Sequence, residues 1–463
     1  HSLIREKHRG FADREFQATQ IFFDYFGIER PTIPLLVPEF QNPLFLKLFC
    51  QGLRNRGLTK VPPGIRGITS IFNFFVESVN EKLSRLDYLD FDSKSRVVQE
   101  AVEKLATMMA DRGRPWLPRY EAQATVNDFL PREGYENSLF RHMISEGILA
   151  EDRFRIENNE WREGIHFSYD RFADHLIAGH LLDKHLDPKN PSHSFLPDQP
   201  LGSFVKDELT CWRNRGLVEA ISIQLPERIK MELAEVAPNS ADYQPIREVF
   251  VDSLIWRDPK AITNATKNYI NEHVIRNKDM RDQLLNALLT IASNPDHPYN
   301  ADLLHKHLMK FELAERDSWW SIFLHYQYGE HGAVDRFVEW AWSSEDKSHI
   351  NDESIRLCGV ALAWFLTTSN RFLRDRATKA LISLLTDRIH VLRRIIQEFL
   401  DVNDPYVLER LFAVAYGCAM HSTDNEAIGE LAKNVYKWIF ENAEPPPHIL
   451  LRDYARGVVE LAL

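Results

Sequence analysis

Histidines and carboxylates are the side chains here whose types and spacing come nearest to metal chemistry. His305-Lys-His307 and His180 with His185 have the closest ligand-like spacings. Neither pair brings two imidazoles onto one helical face with a third carboxylate or thiol nearby, so core or surface histidines are expected. Asp87, Asp90 and Asp92 could be mistaken for a magnesium site at a strand end, but they sit at a helix-to-helix connection with no β-run before them. Solvated loop charges are the expectation. Nucleotide hydrolysis needs a glycine loop followed by Lys and Ser or Thr, and no Gly-Lys dipeptide occurs in the chain. HExxH and GxSxG are also missing, so no catalytic residue and no metal ligand is expected in this piece. Cys50, Cys211, Cys358 and Cys418 lie far apart among apolar neighbours, which predicts reduced, buried thiols.

What remains is binding, and the elements that would position it are helical. The 463 residues exceed what one hydrophobic core organises. Hydrophobic residues make up 44% and charged residues 27%, which excludes disordered and collagen-like classes. A net charge of −11 argues against sequence-independent nucleic-acid binding. No apolar run reaches the roughly 18 residues of a membrane span, and the start lacks a secretory signal, so a cytoplasmic protein is expected. The chain begins without Met, inside an amphipathic segment, and reads as a fragment.

Phe16 to Phe26 ends at Gly27, a helix stop, and Pro31, Pro34 and Pro38 then force an extended connection. Asn42-Pro43 opens a helix, because Asn caps free amides and Pro fits the first turn. Pro62-Pro63-Gly64 breaks it. Thr69 to Leu83 and Ser93 to Met109 carry helical apolar spacing. Leu139 to Ile144 forms a short helix, Phe154 to Ile156 and Ile165 to Phe167 read as a hairpin, and Asp170 to His185 as a helix. That order is the order of a winged helix. Its face is dominated by acidic residues, among them Glu133, Glu136, Glu151 and Glu160, which favours a protein-facing role over direct nucleic-acid binding.

Asp187 to Pro200 is proline-rich and reads as a linker. Beyond it, helices recur as antiparallel pairs at about 35 to 45 residues, such as Glu353 to Thr367 with Arg371 to Leu385. The fold class expected is therefore mostly α: a helical domain and a winged-helix domain followed by an α-solenoid of HEAT- or TPR-like repeats. The boundaries are 1–64, 65–187, a linker at 188–200, and 201–463. Trp319 and Trp320 could anchor a protein partner on a concave surface. Arg371, Arg374 and Arg376 have the spacing of ion pairs between repeats, with partner contact as the alternative.

Two stretches resemble a known family. Val37-Pro-Glu-Phe-Gln-Asn-Pro-Leu-Phe-Leu-Lys-Leu-Phe-Cys50 resembles the start of the first helical domain in STAND NTPases of the NACHT group. Phe167-Ser-Tyr-Asp-Arg-Phe-Ala-Asp-His-Leu-Ile-Ala178 resembles their winged-helix segment FxHxxFxExxxA, with Tyr169 at the histidine position and Asp174 at the acidic one. Ser369 to Leu381 and Asn403 to Arg410 look like the helical C-terminal part of bacterial antiviral STAND proteins. Together the resemblances span most of residues 10 to 420.

The resemblance implies that Pro43, with Asn42, lies at the adenine edge of a bound nucleotide. Tyr169 would then stand where the family senses the β-phosphate with histidine, offering a hydroxyl instead. It also implies an upstream effector and a P-loop ATPase using ATP or ADP with Mg²⁺, none of it bound by this piece alone. The solenoid would recognise a phage protein, terminase- or portal-like, and binding would drive ATP-dependent self-oligomerisation that switches on the effector. The alternative is a helical-repeat protein-binding scaffold that never meets nucleotide.

Overall fold

In the computed structural model, residues 10–11, 14–61, 67–156, 160–441 and 444–463 are described. The expected break at Pro62-Pro63-Gly64 and the tip of the expected hairpin at 157–159 lie outside them. The chain is mostly helical. It divides into two compact units: residues 1–30 with 38–283, and residues 31–37 with 284–463. The second unit is thus built from two separate stretches of chain.

The first unit opens with α1 (Glu15–Phe26), closed by Gly27 at φ +68, a backbone conformation that suits glycine. Then come α2 (Pro43–Asn55), α3 (Ile68–Leu83) and α4 (Val97–Asp111). The α4 start differs from the expected Ser93: Ser93–Ser95 forms a separate 3₁₀ turn capped by Asp92, and Arg96 at φ 52 breaks it from the helix. Strand β1 (Trp116–Pro118), helices α5 (Arg119–Phe129) and α6 (Leu139–Ser145), and strands β2 (Leu149–Arg155) and β3 (Trp161–Phe167) follow.

The three strands form one antiparallel sheet in the order β1-β3-β2. Gly164 of β3 faces Pro118 on one side and Asp152 on the other. The rings of Trp116 and Phe154 stack across it at 4.6 Å, filling the space a side chain would take. The exposed hairpin residues mix Glu151, Asp152, Glu160 and Glu163 with Arg153, Arg155 and Arg162, so its surface carries both signs.

Helix α7 (Asp170–His185) packs against α4 and against α8 (Arg215–Ile229). The proline-rich stretch 188–200 therefore lies within one compact unit and does not separate two, with Ser194 and Phe195 buried and the helices either side of it packed on each other. Helix α9 (Gln244–Ser253) packs on α8 in turn. Below α8, the guanidinium of Arg257 is wholly buried and donates to Glu232 at 2.7 Å, where the Thr266 hydroxyl also donates.

The second unit contains α10 (Ala301–Leu308), α11 (Ala333–Trp342), α12 (Asp352–Phe365), α13 (Arg371–Leu385), α14 (Ile389–Phe399), α15 (Pro405–His421), α16 (Asn425–Ile439) and α17 (Ile449–Leu461). Alternate helices pack together: α11, α13, α15 and α17 form one row, and α10, α12, α14 and α16 the other. Helix α12 is buried from Ser354 through Phe365, all round its circumference, as a central helix must be. The one charge in that stretch, Arg356, donates to Glu353, Asp302 and Glu398 and so ties α10, α12 and α14. Residues 31–37 join this unit at the α12 start: the Thr32 carbonyl accepts from Asn351 N at 2.9 Å and Nδ2 at 2.8 Å.

Candidate functional site

The start of α2 follows from its sequence. Asn42 Oδ1 accepts from the amides of Leu44 at 2.9 Å and Phe45 at 3.3 Å, and Pro43 has no amide to satisfy. Such a cap is worth about 1 kcal/mol. It fixes Phe45 inward, 1% exposed, with the Phe40 ring of the preceding 3₁₀ turn (Pro38–Gln41) at 5.3 Å.

The start of α7 is built differently. Ser168 is tied by its amide to the Ile148 carbonyl, and Tyr169 is extended at φ −132. The Tyr169 ring is half-buried between Phe45, at 6.2 Å between centroids, and Phe72 of α3, at 6.0 Å. Burial, reinforced by Glu219 and Asp170, raises its phenol well above the ordinary value, so the hydroxyl stays protonated.

Two residues on, Arg171 pairs with Glu39 of the 3₁₀ turn and with Glu219 of α8. Its guanidinium lies over the Trp256 ring at 4.8 Å, and Trp256 meets Phe45 at 6.2 Å. The turn around Pro43 and the segment around Tyr169 are therefore brought together, by aromatic contact and by an ion pair. Pro43 is half-buried beside this cluster, while the Asn42 side-chain oxygen is committed to its own helix.

Asp174 lies one turn further along α7. Burial first, then Asp170 and Glu219, push its carboxyl up to about 7. Its neighbour His175 is buried among Phe72, Thr69 and Gln224, and burial with the Arg171 charge pushes its imidazole down to about 3, so it is neutral at physiological pH. Beside it α3, α4, α7 and α8 line an open pocket of about 520 Å³.

Sequence reasoning singled out Tyr169 and Pro43 and missed Glu39 and Arg171, although both stand inside the two quoted stretches. Their opposite charges were a signal. His175 gave none, because burial of a single histidine leaves no pattern in sequence.

The second unit scatters the other candidates. Trp320 is wholly buried and donates from Nε1 to the Trp364 carbonyl at 3.0 Å. Trp319 is half-buried against Phe311 and His307. Arg374 donates to the Thr368 carbonyl and lies over Tyr406, and Arg376 sits 3.5 Å from Glu339 and over Trp342. These two hold helices together. Arg371 is exposed over the exposed Phe372 ring. Of the two histidines with metal-like spacing there, His305 accepts from Trp364 Nε1 at 3.1 Å and His307 packs on Phe311. Among the described residues no three His, Cys, Asp or Glu side chains are placed to hold a metal ion. The four thiols are free and buried. Among the described residues no helix is long and apolar enough to cross a membrane.

Compared with known proteins, the chain matches no protein-family profile and no curated protein.

Proposed function

We propose that this chain is the regulatory and ligand-sensing part of an antiviral STAND NTPase of the NACHT group. The carrying observation is the meeting of its two family-like stretches, through Phe45 on Tyr169 and Glu39 on Arg171. In this reading the sheet with α5, α6 and α7 is a winged-helix domain, and the two rows of helices in the second unit are a solenoid that receives the phage protein. The Pro43 ring and the protonated Tyr169 hydroxyl are the groups offered to an adenine nucleotide, since Asn42 is occupied as a cap. A switch then needs only that the ligand-bound form favour release of this contact.

The test uses the full-length protein and a fluorescent ADP analogue. Tyr169→Phe should weaken binding about tenfold, the effect of about one lost hydrogen bond, while Trp319→Ala leaves it unchanged. Co-expression with a phage portal or terminase should give an ATP-dependent large assembly by gel filtration. Equal ADP affinity in Tyr169→Phe overturns the nucleotide role, and no assembly with either protein overturns the sensing role. The scaffold reading draws on one observation of its own: Tyr169 already packs between Phe45 and Phe72 without a ligand's help. It predicts no retention of the ADP analogue at all.

A further inference from the structure

The chain between α1 and α2 changes membership twice in a short span. Ahead of it the Glu29 amide donates to the Thr59 carbonyl at 2.6 Å, within the first unit. After it Glu39 pairs with Arg171, the Phe40 ring is buried beside Phe45, and the Glu39 carbonyl accepts from Asn42 N at 2.9 Å, again within the first unit. Residues 31–37 in between belong to the second unit. There the Thr32 carbonyl accepts twice from Asn351, and Pro34 and Leu36 are buried.

This strap is stiff. Pro31, Pro34 and Pro38 each fix φ at about −65° and keep the residue before them, Arg30, Ile33 and Val37, away from helical backbone. No helix or strand lies in residues 31–37 that could unwind to lengthen the connection. Even fully extended, the chain from Thr32 to Glu39 reaches at most about 25 Å. A proline-rich connection of this kind is a semi-rigid spacer, so movement at one anchor is passed along to the other and not taken up as slack.

We propose that residues 31–37 couple the α12 start in the second unit to the Glu39 and Arg171 pair in the first. A partner that engages the α12 start and draws Asn351 off Thr32 loosens the 3₁₀ turn Pro38–Gln41. Parting Glu39 from Arg171 loosens Asn351 in return, because coupling between two sites is reciprocal. The coupling stands on these contacts alone. Its bearing on a nucleotide rests on the reading above, since Asn42 and Pro43 directly follow the turn.

The test is hydrogen exchange on the full chain, read at the amides of Asn42, Leu44 and Phe45, which the turn and the cap hold. Asn351→Asp keeps a capping oxygen for α12 but sets an acceptor against the Thr32 carbonyl in place of Nδ2. It should speed those three amides about fivefold, the low end of ordinary allosteric coupling. Glu39→Gln removes the charge that pairs with Arg171 and should speed exchange of the Asn351 amide, which is bonded to Thr32, at least about twofold. A slack chain with Gly-Ser-Gly-Ser inserted between Val37 and Pro38 isolates the strap from every other route. In it Asn351→Asp should still free residues 31–37, yet leave Asn42, Leu44 and Phe45 at the slack chain's own rate. The proposal is overturned if Asn351→Asp leaves the three amides at the wild-type rate in the natural chain, if it speeds them equally in the slack chain, or if Glu39→Gln leaves the Asn351 amide unchanged. None of these readouts uses ADP, so their failure is distinct from failure of the nucleotide role.

Discussion

Asp174 shows how one side chain can set the pH response of the first unit. Its carboxyl titrates near 7 in the folded chain, because burial and the neighbouring charges of Asp170 and Glu219 disfavour the anion. Once unfolded it titrates near the ordinary value of about 4. Between those values the folded form holds a proton that the unfolded form has released, so this group's contribution to stability falls as pH rises from about 4 to about 7 and is level above. Asp174→Asn keeps the shape and removes the charge. It should stabilise the protein by about 1–2 kcal/mol at pH 8 and leave it unchanged at pH 4, read by urea denaturation at both. A gain equal at both pH values would show that titration is not the cause.

At the scale of elements, the sheet depends on an absence of side chain. Gly164 lies under the stacked rings of Trp116 and Phe154, and a β-carbon there would run into both. Gly164→Val should therefore part the rings and cost about 1–3 kcal/mol, as overpacking does. The loss should appear as faster hydrogen exchange in β2 and β3, with α15 unchanged; unaltered exchange in β3 would refute the role given to the ring stack. The hairpin itself was legible from its alternating runs. Strand β1 was not, since Trp116-Leu117-Pro118 is too short to show a period. The same contrast runs through the helices. Arg371–Leu385 begins and ends where its spacing predicts. Helix α8 escaped notice: it is buried on nearly every side and carries Pro226 inside, so it shows no polar face and appears broken. The candidate site followed suit. Asn42-Pro43 announced its own turn, while the partnership of Glu39 with Arg171 depends on tertiary approach that neither stretch encodes alone.

At the scale of the whole molecule, the second unit is discontinuous in sequence. Asn351 caps α12, with its side-chain oxygen accepting from Ser354 N at 2.8 Å, while its two nitrogens donate to Thr32. Asn351→Ala removes the cap and half of that tie together. It should cost about 1–2 kcal/mol, seen as roughly tenfold faster hydrogen exchange in residues 31–37 and the first turn of α12, with α7 unaffected. Unchanged exchange in 31–37 would mean that other contacts hold the segment.

That returning segment also reorders the history of the chain during synthesis. Residues 31–37 leave the ribosome well before residues 284–463, where their partner Asn351 lies, and residues 38–283 of the first unit are translated in between. Ring closure over so long a span grows dearer only with the logarithm of its length, so the wait is a matter of timing more than of entropy. A rearranged chain in which residues 31–37 are excised and inserted directly before residue 284 would turn this late docking into an early, local one.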